Sequence, residues 1–397
     1  MRISAKPLEI PERGLLVTIK SLIFMRNELI KTIQFVFTLA LFSILFSCQK
    51  NLKDQSSDLK PGVSDEMTPK ELKNFVQVNL VADNNNSKPW NIDANLVNAM
   101  GIAFLPSGAA WVSSEGKGIG SIYNLDGIPE ANTVSIPRAS GSANGHPSGH
   151  VYNSTSDFKL PNGDPAQFIF ASADGVISGW NNGNNAVKKL DLSPDASYFG
   201  IAMANKGADF FLYAANFAQG RIDVFDKNRN PVNIQFTDPD LPASYSPFNI
   251  QTIGDGKLYV TYAKKDATGN RETGPGNGYI NIFSPDGTLL KRFASKGKLN
   301  APWGIAKAPA GFWGEWSQIQ NVILIGNSGD GHISAFDENG NSLGQLSTKG
   351  KPIEIDGLWG ITFPPINGLN HYYLYFAAGP NGGANGLVGY IKTAYIN

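Results

Sequence analysis

The chain has 397 residues, ample for a large core, and 33 Lys and Arg balance 33 Asp and Glu to a formal net charge of zero. That balance, with no basic stripe, argues against a nucleic-acid partner, since phosphate contacts need clustered cations. The 43 Gly, 24 Pro, 13 Tyr and 23 Phe favour turns and strands over long helices.

In chain order, residues 1–24 do not fit a signal peptide, and Met25-Arg26-Asn27 makes the better start, so we expect 1–24 to be an over-extended start. Arg26 and Lys31 supply the positive region of a signal peptide expected over 25–47. Its apolar run from Ile33 to Ser47 is too short for a comfortable membrane span. Leu45-Phe46-Ser47-Cys48 resembles a bacterial lipobox, with Phe46 as its one departure. Cys48 is then the expected lipidation site and the membrane a partner through the lipid anchor. The expected location is the bacterial cell envelope: Gln49 in place of Asp after Cys48 implies the outer membrane of a diderm host, periplasmic or surface-exposed. Residues 48–73 are polar and cannot bury enough apolar area to fold, so they form the expected flexible tether. With Cys48 the only cysteine, the exported domain has no disulfide to lean on.

From Phe75 the pattern changes to strands. Phe75 to Val81 is a strand signal with no repeat of its own. After it, a short apolar run marked by Gly recurs six times, at Gly101, Gly149, Gly200, Asn249 in place of Gly, Gly304 and Gly360, at intervals of 48, 51, 49, 55 and 56 residues. Self-similarity at that period marks a propeller or a solenoid. In the third unit, Gly200 to Met203 is followed by Phe211 to Asn216, Gly220 to Asp226 and Val232 to Phe236, four strand signals separated by turn residues. Four antiparallel strands repeated six times predict an all-β, six-bladed β-propeller over 74–397. The last unit ends at Gly389-Tyr390-Ile391, its third strand, so the orphan strand at Phe75 is expected to close the ring and remove an open edge.

Strand alternation places the loop entering each innermost strand and the loop between the second and third strands on one face. The entering loops carry Asn98, His146, Ser197, Ser246, Asn300 and Asp356. The second-to-third loops carry Glu115, Asp174, Asn216 with Gln219, Lys264 to Asn277, Asn327 with Asp330, and Asn381 with Asn385. Polar groups converging on a concave mouth are the default binding site. We therefore take Asn98, Glu115, His146, Asp174, Asn216, Asn327, Asp330 and Asp356 as candidate ligand-binding residues. The ordinary alternative for each is turn chemistry, because Asn and Asp tolerate left-handed backbone and bond their own chain.

Other constellations are weaker. His146, His150, His332 and His371 lack metal-ligand spacing, and His150 stands where sister repeats have Ile. There is no Gly-x-Ser-x-Gly elbow. Gly274 to Gly278 leads into a strand and lacks the helix N-terminus of a phosphate cradle. Asp226 to Asn230 and Asp337 to Asn341 mimic half a calcium loop without its later Glu, and read as turns. Trp303 and Trp359 beside the echo glycines read as blade-to-blade packing.

Phe225-Asp226 and Phe336-Asp337 after Gly-x-Ile runs resemble the NHL and gluconolactonase-like six-bladed propellers. Gly220 to Asp226, Ser246 to Gln251, Leu258 to Lys264, Gly274 to Gly278 and Ile355 to Gly360 are similar to an uncharacterised secreted bacterial propeller family found near PEP-CTERM export systems. The resemblance spans about residues 75–391 and implies the fold without an activity. Two functions stay open. One is a non-enzymatic binding or scaffold module for a glycan, peptide or protein partner. The other is a divalent-metal-dependent, lactonase-like hydrolase. Lactonase propellers hold Ca²⁺ or another divalent ion with Glu, Asn and Asp in the channel mouth, and Glu115, Asn216, Asn327 and Asp356 are the residues that could be recruited here. No cofactor is assigned from the residues themselves.

Overall fold

The computed structural model describes residues 71–394 other than 131, 132, 142, 143, 315, 316, 318 and 366–368. The expected start, signal peptide, Cys48 and the tether as far as residue 70 lie outside the described residues.

Six four-stranded blades surround a central channel, as expected. From inside outward, blade 1 is Ala99–Phe104, Ala110–Ser114, Ile119–Tyr123 and Val134–Ser135. Blade 2 is Pro147–Tyr152, Phe168–Ser172, Val176–Trp180 and Val187–Asp191. Blade 3 is Tyr198–Lys206, Asp209–Asn216, Arg221–Phe225 and Pro231–Val232, its outer strand shorter than the run to Phe236 suggested. Blade 4 is Tyr245–Gln251, Leu258–Lys265, Tyr279–Phe283 and Leu289–Ser295. Blade 5 is Pro302–Lys307, Ile323–Asn327, Ile333–Phe336 and Ser342–Gln345. Blade 6 takes Leu358–Thr362, Leu374–Ala378 and Leu387–Thr393 from the end of the chain, and its outer strand, Phe75–Ala82, from the beginning. That closing strand pairs antiparallel with the third strand, Phe75 opposite Thr393 and Ala82 opposite Leu387. It covers the third strand of the last blade across the ring joint, and Asn91–Ile92 pairs in parallel beside Val81 and Ala82 on its outer side.

The last residues of the expected tether, 71–73, are part of the fold. Glu71–Lys73 forms a 3₁₀ turn, and Leu72 is buried in the apolar cluster shared by blades 5 and 6, with Phe75, Phe312 and Leu346. Burying Leu72 contributes about 1.5–3 kcal/mol towards holding this turn in place.

The echo glycines mark a backbone device. In every inner strand the register with the second strand slips at the echo, between Ala99 and Ile102, Pro147 and His150, Tyr198 and Gly200, Pro247 and Asn249, Pro302 and Ile305, and Leu358 and Ile361. Each slip bends the strand where the next inner strand comes close. A Cβ on Gly101 would sit 2.6 Å from the Ser148 carbonyl oxygen, and one on Gly360 would sit 2.8 Å from that of Met100. Only Gly fits such an approach. Asn249, the one exception, bridges the same gap with its side chain, donating from Nδ2 to the Trp303 carbonyl at 2.8 Å.

Apolar packing lies between blades. Separate clusters join blades 1 and 2 around Trp111 and Phe170, 2 and 3 around Ile177 and Tyr198, 3 and 4 around Tyr213 and Phe283, 4 and 5 around Ile280 and Ile325, 5 and 6 around Leu324 and Phe376, and 6 and 1 around Val112 and Tyr375. With the core distributed in this way, closing the ring is what buries the cluster between blades 6 and 1.

Candidate functional site

The pairing ladders confirm the shared face. Ala99 pairs with Ser114, Pro147 with Ser172, Tyr198 with Asn216, Tyr245 with Lys264, Pro302 with Asn327 and Leu358 with Ala378, so each inner strand begins where its second strand ends. We call this face the mouth.

The residues just before the echo positions on blades 3 to 6 are Phe199, Phe248, Trp303 and Trp359, and their rings meet on the axis. Phe199 and Phe248 are 5.2 Å apart, Phe248 and Trp359 5.8 Å, and Trp303 meets Trp359 edge-on at 5.9 Å. Phe199 and Trp359 lie nearly parallel, 18° apart with centroids at 6.5 Å. Phe248 and Trp303 are buried, as packing residues should be. Phe199 and Trp359 stay partly exposed and line the mouth, so Trp359 departs from the pure packing role expected of it.

The long second-to-third loop of blade 4 folds over this aromatic floor. Arg271 lays its guanidinium 4.9 Å from the Trp359 ring centre and 5.8 Å from that of Phe248, and Nη1 donates to Ser328 Oγ at 2.7 Å. Ser328 in turn donates to the Ala301 carbonyl at 2.7 Å. Burial pushes the Arg271 guanidinium below its ordinary pKa. Arg221 and Arg292 meet Asp223 and Asp238, whereas Arg271 meets no carboxylate among the described residues.

Three of the sequence-predicted residues join this centre by a hydrogen-bond chain. His146 Nδ1 lies 2.7 Å from Glu115 Oε1, Asn98 Nδ2 donates to Glu115 Oε2 at 2.8 Å, and Trp359 Nε1 donates to Asn98 Oδ1 at 3.2 Å. Asn98 holds its place through a left-handed backbone, φ 47°. The others are tied elsewhere. Asp174 accepts from the Ala139 amide. Asn216 and Asn327 are fully buried. Asn216 Oδ1 accepts from the Ser197 and Gln219 amides, while Asn327 bonds the Asn300 amide and the Lys298 carbonyl. Asp330 accepts from Asn300 Nδ2 and the His332 amide, and Asp356 from the Asn381 amide.

Two cavities meet at Arg271 and Trp359. The smaller, about 290 Å³, is lined by Asn98, Asp330, Glu354 and Asp356 together with that pair. The wider, about 510 Å³, is lined by Ser197, Phe199, Phe217, Phe248 and Asn270 with the same pair. Beyond the aromatic floor a third cavity, about 240 Å³, follows the channel past His150 and Gln251. His150 is a buried inner-strand residue with both ring nitrogens engaged. Nε2 donates to the Trp111 carbonyl at 3.1 Å, and Nδ1 accepts from Ser113 Oγ at 2.8 Å.

Sequence reasoning located the loop of Arg271 but not Arg271, Ser328 or the aromatic floor. A signal was available: an aromatic residue precedes the echo in four consecutive repeats, where the first two have Met100 and Ser148. Among the described residues, no three His, Cys, Asp or Glu side chains stand close enough to hold a metal ion, and Glu115, Asn216, Asn327 and Asp356 are each bound in separate contacts.

No family model matches the chain. The uncharacterised protein R648 of Acanthamoeba polyphaga mimivirus is 33% identical over 332 residues, covering 79% of this chain and 80% of its own length. Protein L690 of the same virus is 33% identical over 330 residues, covering 79% and 84%. Among solved structures, a streptogramin B lyase aligns with TM-score 0.49 at 14% identity over 81% of this chain and 98% of its own. A gluconolactonase from Xanthomonas campestris aligns with TM-score 0.48 at 13% identity over 75% and 87%. Likeness of that degree assigns no residue and no activity here. The viral relatives lend no support to the bacterial membership that the sequence resemblance implies. At this identity and coverage, the chain belongs to the protein family that includes mimivirus proteins R648 and L690.

Proposed function

We propose that this protein is a binding propeller, held at a bacterial cell envelope through a lipid on Cys48, that engages a glycan, peptide or protein partner at its mouth. One observation carries the binding part: two cavities meet at the Arg271–Trp359 cation–π pair on the face where the loops converge. Concave sites with an apolar floor and a few convergent polar groups are where ligands are held. The lipobox at Leu45 to Cys48 supports the anchor. The divalent-metal hydrolase finds no comparable support, since its candidate ligands are engaged in separate contacts.

The test is to screen the full chain against glycan and peptide arrays and to repeat each hit with Trp359→Ala. Hits lost by that variant support the mouth; hits that persist place binding elsewhere. Native mass measurement of the purified protein decides between the two functions, because a stoichiometric divalent ion would turn the reading to the hydrolase. For the anchor, Cys48→Ala is expected to move the protein from the membrane pellet to the soluble fraction. Its persistence in the pellet would remove the lipid from the proposal.

A further inference from the structure

We infer that the wider mouth cavity is a carboxylate site, built by Arg271 for a ligand that carries its acid group on a flat ring, such as a hexuronate or an aromatic acid. This rests on the mouth being the binding face and goes further by naming the ligand chemistry.

Arg271 is mostly buried, yet its side chain makes a single hydrogen bond, from Nη1 to Ser328 Oγ. A guanidinium has five N–H donors in one plane. The Phe248 and Trp359 rings lie 5.8 and 4.9 Å from its central carbon and offer no lone-pair acceptor. The N–H groups other than the one on Ser328 are therefore left for a ligand, and a carboxylate matches such a pair with two parallel hydrogen bonds. A mostly buried cation without a counter-ion carries a desolvation cost that a bound anion relieves.

The two cavities differ in a way that locates the acid group. The smaller is lined by Asp330, Glu354 and Asp356, which repel an anion. The wider has no acidic residue in its lining. Lys265 adds positive charge at its rim, with Nζ 5.9 Å from the Phe217 ring and bonded to the Ala218 carbonyl at 3.2 Å. The wall beside Arg271 is aromatic. Phe199 and Trp359, 18° from parallel and both partly exposed, line it with aromatic surface against which a pyranose or an arene can pack. A carboxylate alone would leave that surface bare, and a neutral ring would leave the guanidinium donors unmatched.

The experiment is calorimetric titration of the full-length protein with four probes: a galacturonic acid oligomer, its neutral galactose counterpart, benzoate and benzyl alcohol. Each acid is compared with its neutral partner, and the two acids separate the sugar from the arene. We expect at least one acid to bind about tenfold or more tightly than its partner, the scale of a charge-assisted hydrogen-bond pair. Arg271→Gln is expected to erase that preference, and Arg271→Lys to keep part of it, since it retains the charge without the fork. Melting curves establish that the variants are folded, and the wild-type preference is read independently of them. Equal binding of acids and neutral partners overturns the carboxylate site, as does a preference that survives Arg271→Gln, or no binding of either acid. Array hits lost on Trp359→Ala would still hold the mouth as the binding face in each of those cases, so the two ideas fail separately.

Discussion

The two faces of the propeller use the same residue types over very different distances along the chain. On the face away from the mouth, hairpins between third and outer strands satisfy themselves. Asp337 accepts from the amide and the side chain of Asn341, four residues on, and Asp226 does the same with Asn230. At the mouth the partners are remote: Asn98 reaches Glu115 and Trp359, and Arg271 reaches Ser328. An Asn that bonds its own turn is a local device, and one that bonds another blade shapes a surface. Residue type alone does not separate the two; the span of the bond does.

The longest span is the ring joint, and breaking it should have the largest effect. Deleting residues 75–82 removes the outer strand of blade 6 and opens its edge. We expect loss of the cooperative unfolding transition, whereas deleting 49–70 leaves the melting temperature unchanged. Calorimetry on the two truncations checks this, and equal melting temperatures would break the comparison at its strongest point.

The next effect is pH-dependent. His150 ties blade 2 to blade 1 through Ser113 and Trp111, and burial lowers its pKa to about 4 from 6.5. As pH falls from 6.5 towards 4, the unfolded chain takes a proton that the native chain refuses, so stability falls. The slope is about 1.4 kcal/mol per pH unit within that window. His150→Ile, the residue type of sister repeats, should flatten this part of the curve in chemical denaturation. A variant as acid-sensitive as the wild type would move the titration elsewhere.

Smaller effects test the contrast between local and remote bonds directly. Asn327→Ala leaves the Asn300 amide and the Lys298 carbonyl without their buried partner, and should cost about 1–3 kcal/mol. Asp337→Ala on the opposite face, where water replaces the lost bonds, should cost about 0.5–1.5 kcal/mol. Denaturant titration of both variants ranks them. Asp356→Ala, an exposed acceptor for the Asn381 amide, should change stability least of all.

The propeller was legible because its signal repeats. Each echo glycine answers the same close approach of inner strands, and the orphan strand at Phe75 is what a last blade with three strands needs. The mouth was legible only as a face. Asn98 before an inner strand and Asn216 and Asn327 at the ends of second strands share one face, but Asn98 turns into the mouth while the other two are buried in their own blades. A Trp beside Gly reads alike whether its ring is covered, as in Trp303, or open, as in Trp359. Arg271 belongs to a loop that no other blade shares, so no sister position announced it.

The closing strand also fixes the direction in which the ring is loaded. Phe75 pairs with Thr393, at the end of the third strand away from the mouth, and packs there against Phe312 and Trp313. An anchor ahead of Glu71 and a ligand at the mouth, both as proposed above, would pull from opposite ends of the Phe75–Ala82 strand. Its ladder to Leu387–Thr393 would then be loaded in shear, all its hydrogen bonds together, where a pull from the side would unzip them one by one.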